Sequence, residues 1–157
     1  LMRNNVCIAT AIPVGNAPRI KGTTLLNMWD PGVKDNIIVN NIFYTTVPAI
    51  YGYRKYIDPS NTINYNLWKT AGNNWKDQTG TRTDYIAKFR NVTGWEANGQ
   101  WQVDPQFINI DGGNFHLAPT SPTRNTGTNT QCASKDFDGI TRPQEITCDI
   151  GAYEYTP

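Results

Sequence analysis

The residues best suited to chemistry lie in Tyr51-Gly52-Tyr53-Arg54-Lys55-Tyr56, where three aromatic rings alternate with two cations. Rings of this kind stack on sugar faces, and guanidinium or ammonium groups neutralise sugar carboxylates or sulfates. Trp75, Trp95 and Trp101 follow within the next fifty positions and extend the candidate platform, the alternative being that they fill a small core of their own. Elimination chemistry would need Arg54 to neutralise an acid and Lys55, with a lowered pKa, to remove a proton; hydrolysis would need two of Asp35, Asp58, Asp77 and Asp84 about 5 to 9 Å apart. The plainer reading of 51–56 is a solvated loop whose aromatic stems pack on the fold beneath.

Other chemistries have less support. His116, the one histidine, alternates with apolar neighbours in Phe115-His116-Leu117 and reads as a hydrogen-bonded or solvent-facing strand residue rather than a catalyst. No zinc-ligand spacing, phosphate-cradling glycine loop or nucleophile elbow is present, so zinc sites, nucleotide cradles and triads drop out. Asp136-Phe137-Asp138-Gly139 is similar to the opening of a calcium loop but lacks the distal Glu, and a turn with local Asp-to-backbone bonds fits better. The sequence therefore calls for no cofactor, with calcium the only candidate.

Three cysteines bear on compartment. Cys132 and Cys148 stand sixteen positions apart in a Gly, Thr and Pro-rich stretch, a spacing that suits a loop-closing disulfide worth about 3 kcal/mol; two separate buried thiols are the alternative. Cys7, in Val6-Cys7-Ile8, packs as a small hydrophobe. Asn91-Val92-Thr93 matches the glycosylation acceptor pattern and adds modestly to an extracellular reading.

These residues need a scaffold, and the sequence repeats one. Met2-Arg3-Asn4-Asn5-Val6-Cys7-Ile8, Ile38-Val39-Asn40-Asn41-Ile42-Phe43-Tyr44 and Ile63-Asn64-Tyr65-Asn66-Leu67-Trp68-Lys69 align without gaps around Asn5, Asn41 and Asn66. A strand, a bend and a second strand account for the pattern. The fixed Asn is expected to take the left-handed bend conformation and to bond its counterpart one coil away, about 4.8 Å off, forming an Asn ladder. The intervals of 36 and 25 residues leave room for loop insertions at 9–34 and 69–102. Asp84–Phe89 could be a short helix or strand.

Composition supports the same architecture. The chain holds 18 Asn and 19 Thr against 5 Leu and 3 Glu, which favours strands and turns over helices. At net charge +1 in 157 residues it offers no field for nucleic acid, and no apolar run approaches the roughly 20 residues of a membrane span.

From Val103 the motifs are Asp104-Pro105-Gln106-Phe107-Ile108-Asn109, Gly113-Asn114-Phe115-His116-Leu117, Ser121-Pro122, Asn125-Thr126-Gly127-Thr128, Asp136-Phe137-Asp138-Gly139, Arg142-Pro143 and Asp149-Ile150-Gly151-Ala152-Tyr153-Glu154-Tyr155. In order and spacing they resemble the C-terminal end of secreted right-handed parallel β-helix proteins of the pectate-lyase-like superfamily, surface proteins especially. The resemblance implies export to the extracellular space or cell surface and an all-β solenoid of a few coils over 1–102. Residues 103–157 then form a closing coil and a C-terminal cap over the last core layer. It also favours a polysaccharide or surface glycan as partner. The expected function is a glycan-binding or structural surface module; the alternative is the C-terminal part of a polysaccharide lyase or glycoside hydrolase. The opening residues read as an interior rung, so the N-terminal edge is expected to meet either upstream coils or a neighbouring subunit.

Overall fold

The computed structural model describes residues 1–9, 32–45, 58–70, 75–76, 82–83, 90–91 and 93–157. Three repeats of strand, bend and strand form the frame: β1 (Met2–Arg3) and β2 (Val6–Ala9), β3 (Ile37–Val39) and β4 (Ile42–Thr45), β5 (Thr62–Asn64) and β6 (Leu67–Thr70). A hairpin of β7 (Trp75–Lys76) and β8 (Arg82–Thr83) follows, then β9 (Gln100–Trp101), β10 (Phe107–Asn109) and β11 (Asn114–Leu117). The protein is all-β, with two parallel sheets ordered β1-β3-β5 and β2-β4-β6-β9.

Register explains why two apolar residues follow each ladder Asn. Cys7, Phe43, Trp68 and Trp101 pair in one column and face Met2, Ile38 and Ile63 of the other sheet, so this column closes the core between the sheets. Phe43 and Trp68 stack at 4.0 Å, and both are fully buried. Val6, Ile42 and Leu67 form the adjacent column and point to the opposite face, where Phe107, Leu117 and Ile150 cover them. Successive side chains alternate faces, and a parallel sheet covered on both sides must be apolar on both.

At the bend the left-handed residue is the one before the ladder Asn: Asn4 (φ 52°), Asn40 (φ 57°) and Tyr65 (φ 55°). This corrects the expectation that Asn5, Asn41 and Asn66 themselves take that conformation. Their work is lateral. Asn5 donates from N and Nδ2 to Asn41 Oδ1, both at 3.0 Å, and Asn41 donates likewise to Asn66 Oδ1, both at 2.9 Å. Asn41 Nδ2 also reaches the Val39 carbonyl at 2.9 Å, and Asn66 Nδ2 the Ile38 carbonyl at 2.9 Å, so each amide ties the bend to the strands around it. Asn41 and Asn66 are fully buried, where an unmet amide would be costly, and the ladder meets that demand.

The stretch 69–102 is not one interruption. Its end forms a fourth layer, with β9 pairing Leu67↔Gln100 and Trp68↔Trp101. Here Gly99 stands where earlier layers have Asn, and Glu96 swings its carboxylate into the vacated space; a Cβ on Gly99 would lie 2.3 Å from Glu96 Oε2. Glu96 accepts from Asn66 N at 3.2 Å, Asn66 Nδ2 at 2.7 Å and Trp68 Nε1 at 2.9 Å. A second amide pair runs at the other end of the strands, where Asn36 donates from N and Nδ2 to Asn61 Oδ1 at 3.0 and 2.9 Å.

The C-terminal segment lies along a face of the layers. β10 and β11 pair antiparallel, Phe107↔Leu117, and Ile150 packs with Ile42, Leu67 and Leu117. Side chains of the layers then hold the segment's backbone. Asn40 exchanges two bonds with Thr128, both 2.8 Å; Asn4 accepts from Ala133 N at 3.0 Å; Gln100 Nε2 donates to the Pro122 carbonyl at 2.9 Å. Gly127 permits the close approach, since a Cβ there would meet Asn40 Oδ1 at 2.8 Å.

Candidate functional site

The segment meets the start of the layers at a pocket of about 490 Å³. Arg3, Asn4, Asn5 and Val6 form one side; Phe115, Lys135, Phe137 and Tyr153 stand on the other. Local bonds in 136–140 position Phe137. Asp136 Oδ1 accepts from Asp138 N at 2.9 Å and Ile140 N at 2.8 Å, and Phe137 N donates to the Ala152 carbonyl at 3.0 Å. The turn therefore presents Phe137 outward, 79% exposed, against the usual preference of an aromatic side chain. Its ring meets Tyr153 edge-on at 5.7 Å, and Tyr153 stacks on His116 at 4.0 Å. Asn114 Oδ1 and Asp138 Oδ2 hold His116, each 2.7 Å from a ring nitrogen. Partial burial, with Asp138 and Asp136 close by, raises the Tyr153 phenol above its ordinary range.

Charge at the pocket is positive where it is free. Arg3 Nη1 donates to the carbonyls of Gln131 and Cys132, both at 3.2 Å, which holds the guanidinium at the wall. Lys135 is exposed and has no ion pair among the described residues. The Asp136 oxygens are occupied by backbone N–H groups, with Glu154 N on Oδ2 at 3.0 Å. The same occupancy makes 136–139 a poor fit to calcium, and among the described residues no three His, Cys, Asp or Glu side chains gather to hold a metal. The arrangement can stack a ring and attract an anionic or polar group; among the described residues no pair of free carboxylates lines it.

The residues named from sequence fall in different places. Tyr51, Tyr53, Arg54 and Lys55 lie outside the described residues, and Trp75 is described only as backbone of β7. Trp95 is 6% exposed and belongs to the core with Phe43 and Trp68, while Trp101 is half-buried against the same cluster. Trp95 thus has no face to offer a sugar, because the fourth layer needs it as filling. Cys132 and Cys148 are bonded, Cys7 is free and half-buried, and burial raises its thiol pKa away from reactivity. Asn91 is exposed on a helical turn. Phe137, Tyr153 and Lys135 escaped the sequence reading; an aromatic at the tip of an Asp-x-Asp-Gly turn was the available signal.

Class and compartment follow only in outline. The chain is an all-β protein of parallel sheets with one disulfide, and no helix among the described residues is long and apolar enough to cross a membrane. Comparison with protein-family models, curated proteins and solved structures finds no match.

Proposed function

We propose that the chain is an extracellular module of a glycan-binding surface protein, built as a right-handed parallel β-helix and binding its glycan at the pocket between the first layer and the C-terminal segment. The exposed Phe137 beside the His116-Tyr153 stack carries this reading. The exposed Phe137 ring, placed by the backbone bonds of its turn, is suited to the apolar face of a pyranose ring, while Arg3, Asn4, Asn5 and Lys135 supply polar groups around it. The disulfide agrees with an oxidising compartment. Surface glycans are the partner class, and the 51–56 stretch remains a second contact region under the same proposal.

Affinity electrophoresis in gels containing soluble polysaccharides tests the reading. Stacking contributes about 0.5 to 1.5 kcal/mol per ring, so Phe137→Ala should weaken retardation roughly 3- to 10-fold without changing the melting temperature. Retardation that is unchanged in Phe137→Ala and in Tyr153→Ala would move the site away from this pocket.

A further inference from the structure

Asn98-Gly99 is the chain's one Asn-Gly pair, and the fold treats its two members differently. Gly99 is required, because a Cβ there would lie 2.3 Å from Oε2 and 2.9 Å from Cβ of Glu96, whose carboxylate is bonded to Asn66 and Trp68. Asn98 is held only through its backbone. It is exposed in the turn at 96–99, which Gly99 N closes by donating to the Glu96 carbonyl at 3.0 Å, and its own N donates to Asn64 Oδ1 at 2.8 Å. Its side-chain amide makes no hydrogen bond among the described residues.

That freedom is unusual in this protein. Every other described Asn except Asn91 has its side-chain amide in at least one hydrogen bond, and a tied amide cannot turn onto the next backbone nitrogen. Asn91 is followed by Val92, whose branched side chain crowds the nitrogen that would have to approach. Asn98 is followed by a residue with no side chain, and that residue is fixed as Gly by the buried carboxylate of Glu96. Arg90 donates to the carbonyls of Glu96 and Gly99, each at 2.6 Å, which brings positive charge to both ends of the turn and favours an anion forming on the Gly99 nitrogen.

We propose that Asn98 is a self-modification site, at which the Gly99 nitrogen attacks the Asn98 side-chain carbonyl carbon and the product loosens the fourth layer. The Gly99 N–H first leaves the Glu96 carbonyl, a local opening of one bond in an exposed turn. The bond from Gly99 N to Asn98 Cγ then forms as the bond from Cγ to Nδ2 breaks; the Gly99 proton passes through solvent to the departing nitrogen, ammonia leaves, and a succinimide ring remains. Water opens that ring at one of its two carbonyls. Opening at Cγ leaves Asp at position 98, and opening at the backbone carbonyl leaves isoaspartate, whose main chain runs through Cβ and Cγ. Water is the sole co-reactant, and nothing is oxidised or reduced. The extra main-chain carbon of isoaspartate displaces Gly99 from Glu96 and Gln100 N from the Asn66 carbonyl, which it reaches at 2.8 Å, so β9 loses its seat on β6.

Incubation of the intact protein in mildly alkaline buffer without denaturant tests this, with peptide mapping by mass spectrometry and isoaspartate detected by an isoaspartyl methyltransferase. Asn98 should convert several-fold faster than Asn91, whose amide is also free. Hydrogen exchange at β9 should quicken in step with the isoaspartate fraction, while β3 and β4 keep their protection. Asn98→Gln, whose cyclisation needs a larger ring, should hold β9 protected over the same incubation. The proposal is overturned if Asn98 stays intact in the native protein or converts no faster than Asn91. It is overturned equally if isoaspartate accumulates and β9 exchange is unchanged, or if β9 quickens to the same extent in Asn98→Gln.

Discussion

The layers spanning Met2–Trp101 and the segment spanning Val103–Pro157 solve the same problem by different means. In the layers, columns of apolar side chains repeat, and neutral amides satisfy one another across the stack. In the segment, few residues are in strands, and order comes from charge and covalent closure. Arg142 and Glu154 form a fully buried pair at 3.0 Å, Arg142 also binds the carbonyls of Asp149 and Gly151, and Cys132 is bonded to Cys148. Asp149 receives Asn125 N at 2.7 Å and Tyr155 N at 2.6 Å, which fixes two remote turns on one carboxylate. Repetition lets neutral groups suffice; an irregular chain needs acceptors strong enough to gather backbone N–H groups from several directions.

The largest test of this contrast is Glu154→Ala. It leaves Arg142 buried without its partner and frees Gln144 N and Asp149 N, a loss of about 3 to 5 kcal/mol. Urea denaturation should show that loss, and hydrogen exchange should place it in 118–157 ahead of β3–β6. Reduction of the disulfide should cost about 3 kcal/mol, again with the first loss of protection in the segment. Equal loss in the layers would mean that the two regions unfold as one unit.

Among the described residues the layers hold one buried acid, and pH separates it from the segment. Burial raises Glu96 to about 7, against the lesser pull of Trp68, Asn66 and Arg90 toward the charged form. The folded protein then retains a proton that the unfolded chain releases near its ordinary value of about 4.5, so stability falls as pH rises from about 4.5 to about 7, by about 3 kcal/mol in total. Burial raises Asp149 and Glu154 as well, and they act in the same direction from the segment. Glu96→Gln should remove the part of the slope seen in amides of β5, β6 and β9, and leave the part seen in 118–157. The smallest effect is expected from Asn41→Ala, roughly 2 kcal/mol by thermal denaturation, since Asn5 N and Nδ2 lose their common acceptor and Asn66 Oδ1 loses the side-chain donor while keeping the backbone one.

The same contrast decided what could be read in advance. Asn5, Asn41 and Asn66 were legible because a repeat exposes its invariant position, and the sheet order follows from it. The fourth layer was not, since Gly99 and Glu96 divide between them the work of one Asn and share no residue type with it. Asn36 and Asn61, each five positions before a ladder Asn, were visible as a pattern and passed unread. Trp95 looked like a binding ring because spacing alone does not distinguish a surface tryptophan from core filling. The segment's place along the face depends on pairs such as Asn40 with Thr128 and Arg3 with Gln131, 88 and 128 positions apart, which no local pattern encodes.

The bonds from Asn4, Asn40 and Gln100 to one segment also have a mechanical meaning. Ala133, Thr128 and Pro122 are their partners, so the first, second and fourth layers are fastened to a single strap whose middle is looped by the disulfide. A pull that separates the layers loads the strap together with the interlayer bonds, and the strands share the force with it rather than parting one after another.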